Sequence, residues 1–220
     1  RDTDRSRGLG DVYKRQAWIP VAVVLFYVLV KNNSMREVGL IVLFLALSIL
    51  LADQFSSSFC KPYFARFRPA QDPLLMYLVD VVDGYRGGRY GFISSHAANT
   101  FAVCIFLALL VRNVWMTFSL VLWAALCSYS RIYLGVHYPG DILFGMLWGL
   151  LVGLSTYMAC AYILRRMSPD RNFISTQYTS TGYAVADLDI FQSVLYLTYV
   201  VLAICLLYTS PSPRDRSVSR

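Results

Sequence analysis

Long apolar stretches without a charged residue constrain this chain more than any other feature of its sequence. Five of them contain no Asp, Glu, Lys or Arg: 38–52, 97–111, 113–130, 142–164 and 190–213. A transmembrane helix needs roughly 20 predominantly apolar residues. Charged residues make up only 15% of the chain, whereas a typical soluble domain has about 25%. The sequence therefore predicts an all-α integral membrane protein and argues against a soluble globule or a disordered chain.

The two ends of the chain differ in origin from the rest in our interpretation. One DNA sequence can encode Ser6–Gln16 on one strand and Cys205–Asp215 in a shifted frame of the other strand. That DNA resembles a transposon-type sequencing-library adaptor. We therefore interpret 1–16 and 205–220 as adaptor-derived artefacts, which fold reasoning should leave out. The remaining 17–204 is the membrane domain, which we expect to be truncated at both ends.

Leaving out the tails changes what the net charge implies. The whole chain has 20 basic and 13 acidic residues, a net charge of +7. The tails hold eight and four of these, so the membrane domain has 12 and nine, a net charge of +3. This balance does not indicate a basic surface for nucleic acid. The expected partner at this point is the lipid bilayer, and the oligomeric state is left open.

Six apolar segments are predicted to lie in the membrane: roughly 17–31, 38–58, 97–112, 114–130, 142–164 and 190–204. Alternation of sides places the connections 59–96 and 131–141 on one face of the membrane. Each face has six basic residues, but the balance becomes six to three if Lys61, Arg68 and Arg131 belong to a binding site. The positive-inside rule then predicts that the long connection is extracytoplasmic.

The connection between the fourth and fifth segments contains the pattern Ser130-Arg131-x5-His137-x3-Asp141. Pro139 suits the first turn of a helix, so the next helix should begin just after His137. Asp141 can then reach back to the imidazole, fix its tautomer and leave Nε2 free as a nucleophile or base. By itself the pair is more often a helix-capping Asp beside an interfacial His.

The third apolar segment is preceded by Ser94-Ser95-His96. Ser94 can cap the helix that follows, and a helix N-terminus with free N–H groups favours an anion. His96 would lie in the first turn, where it could donate a proton to a leaving oxygen. Taken alone, these residues are more often an ordinary capping Ser and a surface His.

Lys61 and Arg68 follow the second apolar segment in the pattern Lys61-x6-Arg68-Pro69. Seven residues are two helical turns, so both cations share a side if 61–68 is helical, and Pro69 would end that helix. With Arg131 they make three positive charges, a set suited to a phosphate and its developing charge. Each one alone is typical of a basic residue that snorkels to the membrane interface.

The three groups gain weight because they lie on one face of the membrane. Both histidines of the chain, one Asp and three cations occur there at segment ends. No Cys, His, Asp or Glu spacing is typical of a metal site, so we expect neither a metal ion nor a cofactor. The implied reaction is metal-independent phosphoryl transfer through a covalent phosphohistidine.

Together the three groups resemble the three-part pattern of the type 2 phosphatidic acid phosphatase superfamily. The first and third parts, Kx6RP and SRx5Hx3D, are intact here. The second part reads PSGH in the family and Ile93-Ser94-Ser95-His96 here, so Ile93 replaces a Pro and Ser95 replaces a Gly. The resemblance covers about 60–141. It implies the six-transmembrane-helix bundle of this family, a haloperoxidase-like fold.

The resemblance also implies a role for each matching residue. His137 would attack phosphorus, Asp141 would orient His137, and His96 would protonate the leaving lipid oxygen and later activate water. Five groups would hold the phosphoryl oxygens: Lys61, Arg68, Arg131, Ser94 and the N–H of Ser95.

The leading hypothesis is a bacterial inner-membrane lipid phosphate or diphosphate phosphatase whose site faces the periplasmic or extracytoplasmic side. Undecaprenyl diphosphate is the favoured substrate, because the chain resembles small bacterial six-helix members of the family, which often act on it. Phosphatidylglycerol phosphate, phosphatidic acid and lipid A phosphates are alternatives, and so is lipid phosphotransfer to an acceptor hydroxyl. A non-catalytic membrane transporter is the alternative from a different class. A haem carrier is disfavoured, because both histidines lie beside Arg, Ser or Asp at helix ends.

Overall fold

The protein is described by a computed structural model for residues 18–78, 87–168 and 176–209, with side chains up to 204. Seven α-helices lie in these ranges: α1 (Ile19–Asn32), α2 (Met35–Gln54), α3 (Lys61–Phe64), α4 (Ser95–Val111), α5 (Val114–Tyr133), α6 (Pro139–Met167) and α7 (Val185–Thr209). A π-helical stretch, Phe55–Cys60, joins α2 to α3. The same ranges contain no strand, only an isolated bridge between Phe67 and Tyr90. The all-α prediction is confirmed for the described residues.

Each predicted apolar segment corresponds to a helix. The second is longer than predicted, because α2, the π-helical stretch and α3 form one continuous helix, Met35–Phe64. Within the described ranges, three helices are long and apolar enough to cross a membrane: Met35–Phe64, Pro139–Met167 and Val185–Ile204. Two shorter helices, Ile19–Asn32 and Ser95–Val111, are also apolar. Six membrane crossings therefore remain a prediction.

Some predicted features lie wholly or partly outside the described residues. Residues 1–17 and 210–220 are not described, and α7 continues as a helix to Thr209, past the boundary that we place at 204. The apolar stretch 73–82 is too short to span a membrane, so we interpret it as an interfacial helix or a re-entrant piece, and it is described only to Leu78. Up to that point it forms hydrogen-bonded turns, including Met76 N–H to the Asp72 carbonyl at 2.8 Å.

The chain divides into two compact units, and the first pairs α1 with α7. Asp187, in the first turn of α7, is buried and accepts hydrogen bonds from Lys31 Nζ at 2.6 Å and Asn32 Nδ2 at 3.0 Å. The N–H of Ala184 donates to Asn32 Oδ1 at 2.8 Å. These contacts join the end of α1 to the start of α7.

The second unit, Met35–Gly182, contains α2 to α6, and α4 is its central helix. Three glycines on one face of α6 lie directly against α4: Gly145, Gly149 and Gly153. A Cβ on Gly149 would collide with the carbonyl oxygen of Ala98. Small residues at this spacing let two helix backbones approach closely. The starts of α4 and α6 therefore lie side by side, and the N–H of Ser94 donates to the Asp141 carbonyl at 3.0 Å.

Candidate active site

The start of α6 holds a buried histidine and carboxylate. Pro139 is the first residue of α6, as predicted, and His137 precedes it by two positions. Asp141 is 0% exposed and His137 3%. The Nδ1 atom of His137 lies 3.5 Å from Asp141 Oδ2. That distance is longer than an ordinary N–H···O hydrogen bond, although catalytic contacts are often long before substrate binds. The predicted pair is therefore adjacent but not tightly bonded.

The start of α4 brings the second group to the same place. Ser94 is the N-cap residue, and its Oγ accepts a hydrogen bond from the N–H of Ala97 at 3.5 Å. Ser94 and Ser95 are both buried, whereas His96 is exposed in the first turn. The capping role predicted for Ser94 is confirmed, and its backbone is tied to α6 through Asp141.

Lys61 reaches the second group from the end of the long helix Met35–Phe64. Its Nζ donates to Ser95 Oγ at 2.6 Å and to Ser57 Oγ at 3.4 Å. Ser57 and Ser95 are themselves 3.1 Å apart, oxygen to oxygen. The Ser95 side chain, at a position where the family pattern has Gly, is therefore bonded to the ammonium group of the first motif.

Arg68 lies outside any helix, so 61–68 is not helical throughout and Lys61 and Arg68 do not share a helical face. α3 ends at Phe64, and Ala65 has a positive φ of 44°. Arg68 itself is extended, with φ −71° and ψ 154°, because a residue before proline avoids the helical region. Pro69 accordingly does not end that helix but begins a short 3-10 turn.

The extended segment around Arg68 pairs with the residues that precede α4. The N–H of Arg68 donates to the Arg89 carbonyl at 3.2 Å, and its Nε donates to the Tyr90 carbonyl at 3.1 Å. Gly91 lies so close that a Cβ there would be 3.0 Å from Arg68 Cγ. Gly91 ends the glycine-rich stretch 84–91, whose composition suits a flap over a site or an ordinary loop equally well. Its Gly91 end packs on Arg68, while Gly84, Tyr85 and Arg86 lie outside the described residues.

Arg131 approaches from the last turn of α5. Its Nε is buried and has no hydrogen-bond partner among the described residues. Neighbouring groups desolvate the ring of His96 even though its side chain reaches the surface; this desolvation, and then the nearby charges with Arg131 first, lower the pKa of His96 to about 4. The other charged neighbours with this effect are His137, Lys61 and Arg68. The structure therefore brings the catalytic and phosphate-binding candidates of all three motifs together at one end of the second unit.

The electrostatic surroundings also keep His137 neutral. Burial lowers its pKa, Asp141 opposes this effect, and the charges of Arg68 and Lys61 add to the lowering. A neutral imidazole has a free nitrogen lone pair. A nucleophilic ring beside three cations is an arrangement that can attract an anion and attack it.

Several polar residues of the site were not predicted from the sequence. Arg66 Nη1 donates to Asp141 Oδ1 at 3.0 Å. Asp53 accepts a hydrogen bond from Ser57 at 3.3 Å and one from Asn99 at 3.5 Å, which extends the contacts of Lys61 deeper along the helix. Two signals could have pointed to them. Asp53 is a charged residue at the end of an apolar span, and Arg66 is two residues from Arg68 in a segment that Pro69 favours as extended.

Comparison with known proteins shows the family. The PAP2 superfamily matches residues 41–165. The lipid A 4'-phosphatase of Bacteroides thetaiotaomicron is 40% identical over 155 residues, which are 70% of this chain and 68% of that protein. The lipid A 4'-phosphatase of Porphyromonas gingivalis is 41% identical over 149 residues, 68% of this chain and 63% of that protein.

A more distant relative has a different named substrate. The undecaprenyl-diphosphatase of Sulfolobus acidocaldarius is 31% identical over 172 residues, 77% of this chain and 66% of that protein. The chain thus spans about two thirds of the length of these relatives. No solved structure matches the chain.

The match to the family covers the whole region of the three motifs, and the curated relatives are phosphatases of lipid phosphates or diphosphates. The apolar helices described above agree with a protein embedded in a membrane. The resemblance seen in the motifs is confirmed. The chain therefore belongs to the PAP2 superfamily and is an integral-membrane enzyme of the lipid-phosphatase type.

Proposed function

We propose that this chain hydrolyses a phosphate ester of lipid A or a similar lipid through a phosphohistidine on His137. The observation that supports the reaction is the buried His137–Asp141 pair beside Lys61, Arg68 and Arg131. The observation that supports the substrate is the identity of 40–41% with two lipid A 4'-phosphatases, against 31% with an undecaprenyl-diphosphatase. Lipid A phosphate therefore replaces undecaprenyl diphosphate, our expectation from sequence, as the first candidate.

In the first step His137 Nε2 attacks phosphorus and forms a P–N bond. The ester P–O bond breaks, its electron pair leaves with the lipid oxygen, and His96 gives that oxygen a proton. Lys61, Arg68 and Arg131 stabilise the charge on the phosphoryl oxygens, and the N–H groups of Ser94 and Ser95 at the start of α4 contribute in the same way.

In the second step water attacks the phosphohistidine. The water gives a proton to His96, its oxygen bonds to phosphorus, and the P–N bond breaks to release phosphate and neutral His137. His96 is therefore the acid in one step and the base in the other. Its pKa is low before substrate binds, and the negative charge of a bound phosphate raises it toward the value that an acid needs.

The first experiment measures phosphate release in detergent from lipid A, undecaprenyl diphosphate and phosphatidic acid, with EDTA present. We expect the fastest release from lipid A, at the 4' position, and inhibition by vanadate, which imitates the five-coordinate phosphorus. Labelled substrate should leave an acid-labile, alkali-stable phosphoenzyme at His137. Release that persists in His137→Ala, or that requires a divalent metal, would overturn the mechanism.

Matched variants distinguish a loss of the site's chemistry from a general loss of folding. His137→Ala and His96→Ala should both lose activity, and only His137→Ala should lose the phosphoenzyme outright. Arg131→Gln should weaken phosphate binding, whereas Arg112→Gln, an exposed arginine after the end of α4, should not. Equal effects of the two arginine variants would contradict a phosphate role for Arg131. Faster phosphate release from undecaprenyl diphosphate than from lipid A would make undecaprenyl diphosphate the first candidate substrate again.

The site is proposed to face the periplasmic or extracytoplasmic side of a bacterial inner membrane. The support is the excess of basic residues on the other face once the site residues are set apart. Tyr77 lies in the connection 59–96 and is 84% exposed. A cysteine placed there should react with a membrane-impermeant maleimide in intact spheroplasts. Reaction only after the membrane is opened would reverse the orientation.

A further inference from the structure

Arg66 contacts the first turn of α6 in two ways. Its Nη1 donates to Asp141 Oδ1 at 3.0 Å. Its guanidinium group lies over the ring of Tyr138, 4.3 Å from the ring centroid. The arginine is thus held against the helix start by a charge-assisted hydrogen bond and by a stacking contact.

The backbone explains why Arg66 reaches this position. The chain turns at Ala65 and is extended at Arg68. The Arg66 carbonyl accepts a hydrogen bond from the N–H of Gly91 at 2.9 Å. Side chains two residues apart in an extended segment point to the same side. Arg66 and Arg68 are therefore both directed at the site, while Phe67 between them packs on Tyr90.

The two oxygens of Asp141 have different partners. Oδ1 accepts from Arg66, and Oδ2 accepts from the N–H of Tyr138 at 3.0 Å. Oδ2 is also the oxygen that faces His137. Asp141 is 0% exposed, whereas the Arg66 side chain is 46% exposed. A buried carboxylate is costly without a cation partner, and a half-exposed arginine can supply that charge while it keeps part of its own hydration.

We infer that Arg66 is a positioning residue that acts on His137 through Asp141: it holds the carboxylate turned so that Oδ2 faces the imidazole. The inference rests on the proposed function of His137 as the nucleophile. Arg66 contacts the oxygen of Asp141 that points away from the ring, so it does not compete with His137. It also offsets part of the carboxylate charge that the imidazole would otherwise experience.

Loss of Arg66 should therefore slow the reaction more than it weakens binding. For Arg66→Gln we expect kcat to fall by about 10- to 100-fold, as for other groups that orient a catalytic residue, with KM changed little. The matched control is Arg89→Gln. Arg89 is an exposed arginine of the adjacent segment that stacks on Phe67 and Tyr90, and its loss should leave kcat unchanged.

The pH profile gives a readout that a purely structural role would not move. His137 is affected by Asp141 four residues further along the chain, by Arg68 and Lys61, and by His96 at the start of α4. Without Arg66 the full negative charge of Asp141 favours the protonated form of His137. The pKa of His137 should then rise, and the acid limb of kcat/KM should move to higher pH. Arg66→Lys keeps the charge and should return the acid limb to its original pH. Its kcat should lie between that of the unaltered protein and that of Arg66→Gln.

A double variant tests whether the effect passes through Asp141. If Arg66 acts by that route, Arg66→Gln combined with Asp141→Asn should be no slower than Asp141→Asn alone. A multiplied loss would overturn the inference. A rise in KM with kcat unchanged, or an effect equal to that of Arg89→Gln, would also overturn it. Activity that survives in His137→Ala would instead overturn the proposed function, so the two failures are distinguishable.

Discussion

Two buried carboxylates at helix starts, one in each compact unit, show how similar electrostatics can serve different ends. Asp141 lies in the first turn of α6 and Asp187 in the first turn of α7, 0% and 2% exposed. Each is paired with a cation from another segment: Asp141 with Arg66 at 3.0 Å, and Asp187 with Lys31 at 2.6 Å. A buried ion pair at a helix start is therefore not by itself a sign of an active site.

The difference lies in what else each carboxylate touches. Asp187 is bonded to an ammonium group and to the Asn32 amide, one on each oxygen. Asp141 instead lies 3.5 Å from His137 Nδ1, a buried atom with no hydrogen-bond partner among the described residues. The Asp187 contacts join two helices, whereas Asp141 faces the Nδ1 side of an imidazole whose other nitrogen, Nε2, is the proposed nucleophile. We therefore take the neighbouring imidazole, rather than the ion pair, as the sign of the proposed site.

The largest expected effect is on the chemistry of Asp141. Asp141→Asn keeps the size of the side chain but removes the charge that orients His137, so kcat/KM should fall on the order of 10³-fold. Phosphate release from the lipid substrate measures this. Asp187→Asn, the matched control in the other unit, should leave kcat/KM of the folded protein within about twofold. An equal loss in both variants would show that the two carboxylates do not differ as described.

The contact of α6 with α4 sets the position of the Asp141 turn, so its disturbance should be next in size. Gly149→Ala places a Cβ against the Ala98 carbonyl, and overpacking of this kind costs about 1–3 kcal/mol. We expect a lower thermal unfolding temperature together with a reduced kcat. Gly39→Ala in α2 is the control, because a Cβ there meets nothing within 4 Å. If both alanines behave alike, the helix contact does not position the site.

The pH dependence should follow from the two histidines. Burial and nearby cations lower the pKa of His137, and that of His96 to about 4. The first step needs neutral His137 and protonated His96, so kcat/KM should fall as pH rises, with its maximum below the ordinary histidine value of about 6.5. Bound phosphate raises the pKa of His96, so the alkaline limb of kcat should lie at higher pH than that of kcat/KM. If the alkaline limbs of kcat and kcat/KM lie at the same pH, this role for His96 is contradicted.

The smallest expected effect is on the stability contributed by Asp187. Asp187→Asn loses a charge-assisted hydrogen bond, but Lys31 has a side chain 50% exposed and stays hydrated. We therefore expect a loss of about 1–2 kcal/mol in the free energy of unfolding, seen as a lower thermal midpoint in detergent. Lys31→Met should also lower the thermal midpoint without altering the reaction. A changed pH profile in either variant would show that this contact also affects the site.

Much of the site could be predicted because its signals are local. Ser94 and Pro139 mark the starts of α4 and α6, and the structure has both helices beginning there. Spacing alone placed Asp141 close to His137. The same kind of reasoning failed over 61–68, where a helical interpretation ignored the effect of Pro69 on Arg68. That error also hid Arg66. Residues two apart share a side in an extended segment but not in a helix, so only the extended conformation places Arg66 on the side of Arg68.

By itself the sequence determined the apolar helices, their capped starts and the residues of the three motifs. These depend on hydrophobic length, on proline and serine at helix ends, and on spacings of a few residues. Only the tertiary structure decided that Lys61 bonds to Ser95 and that Arg66 bonds to Asp141. Those contacts join segments 34 and 75 residues apart. They depend on how closely α4 packs on α6 and on where the chain turns at Ala65, and no local pattern in the sequence encodes either.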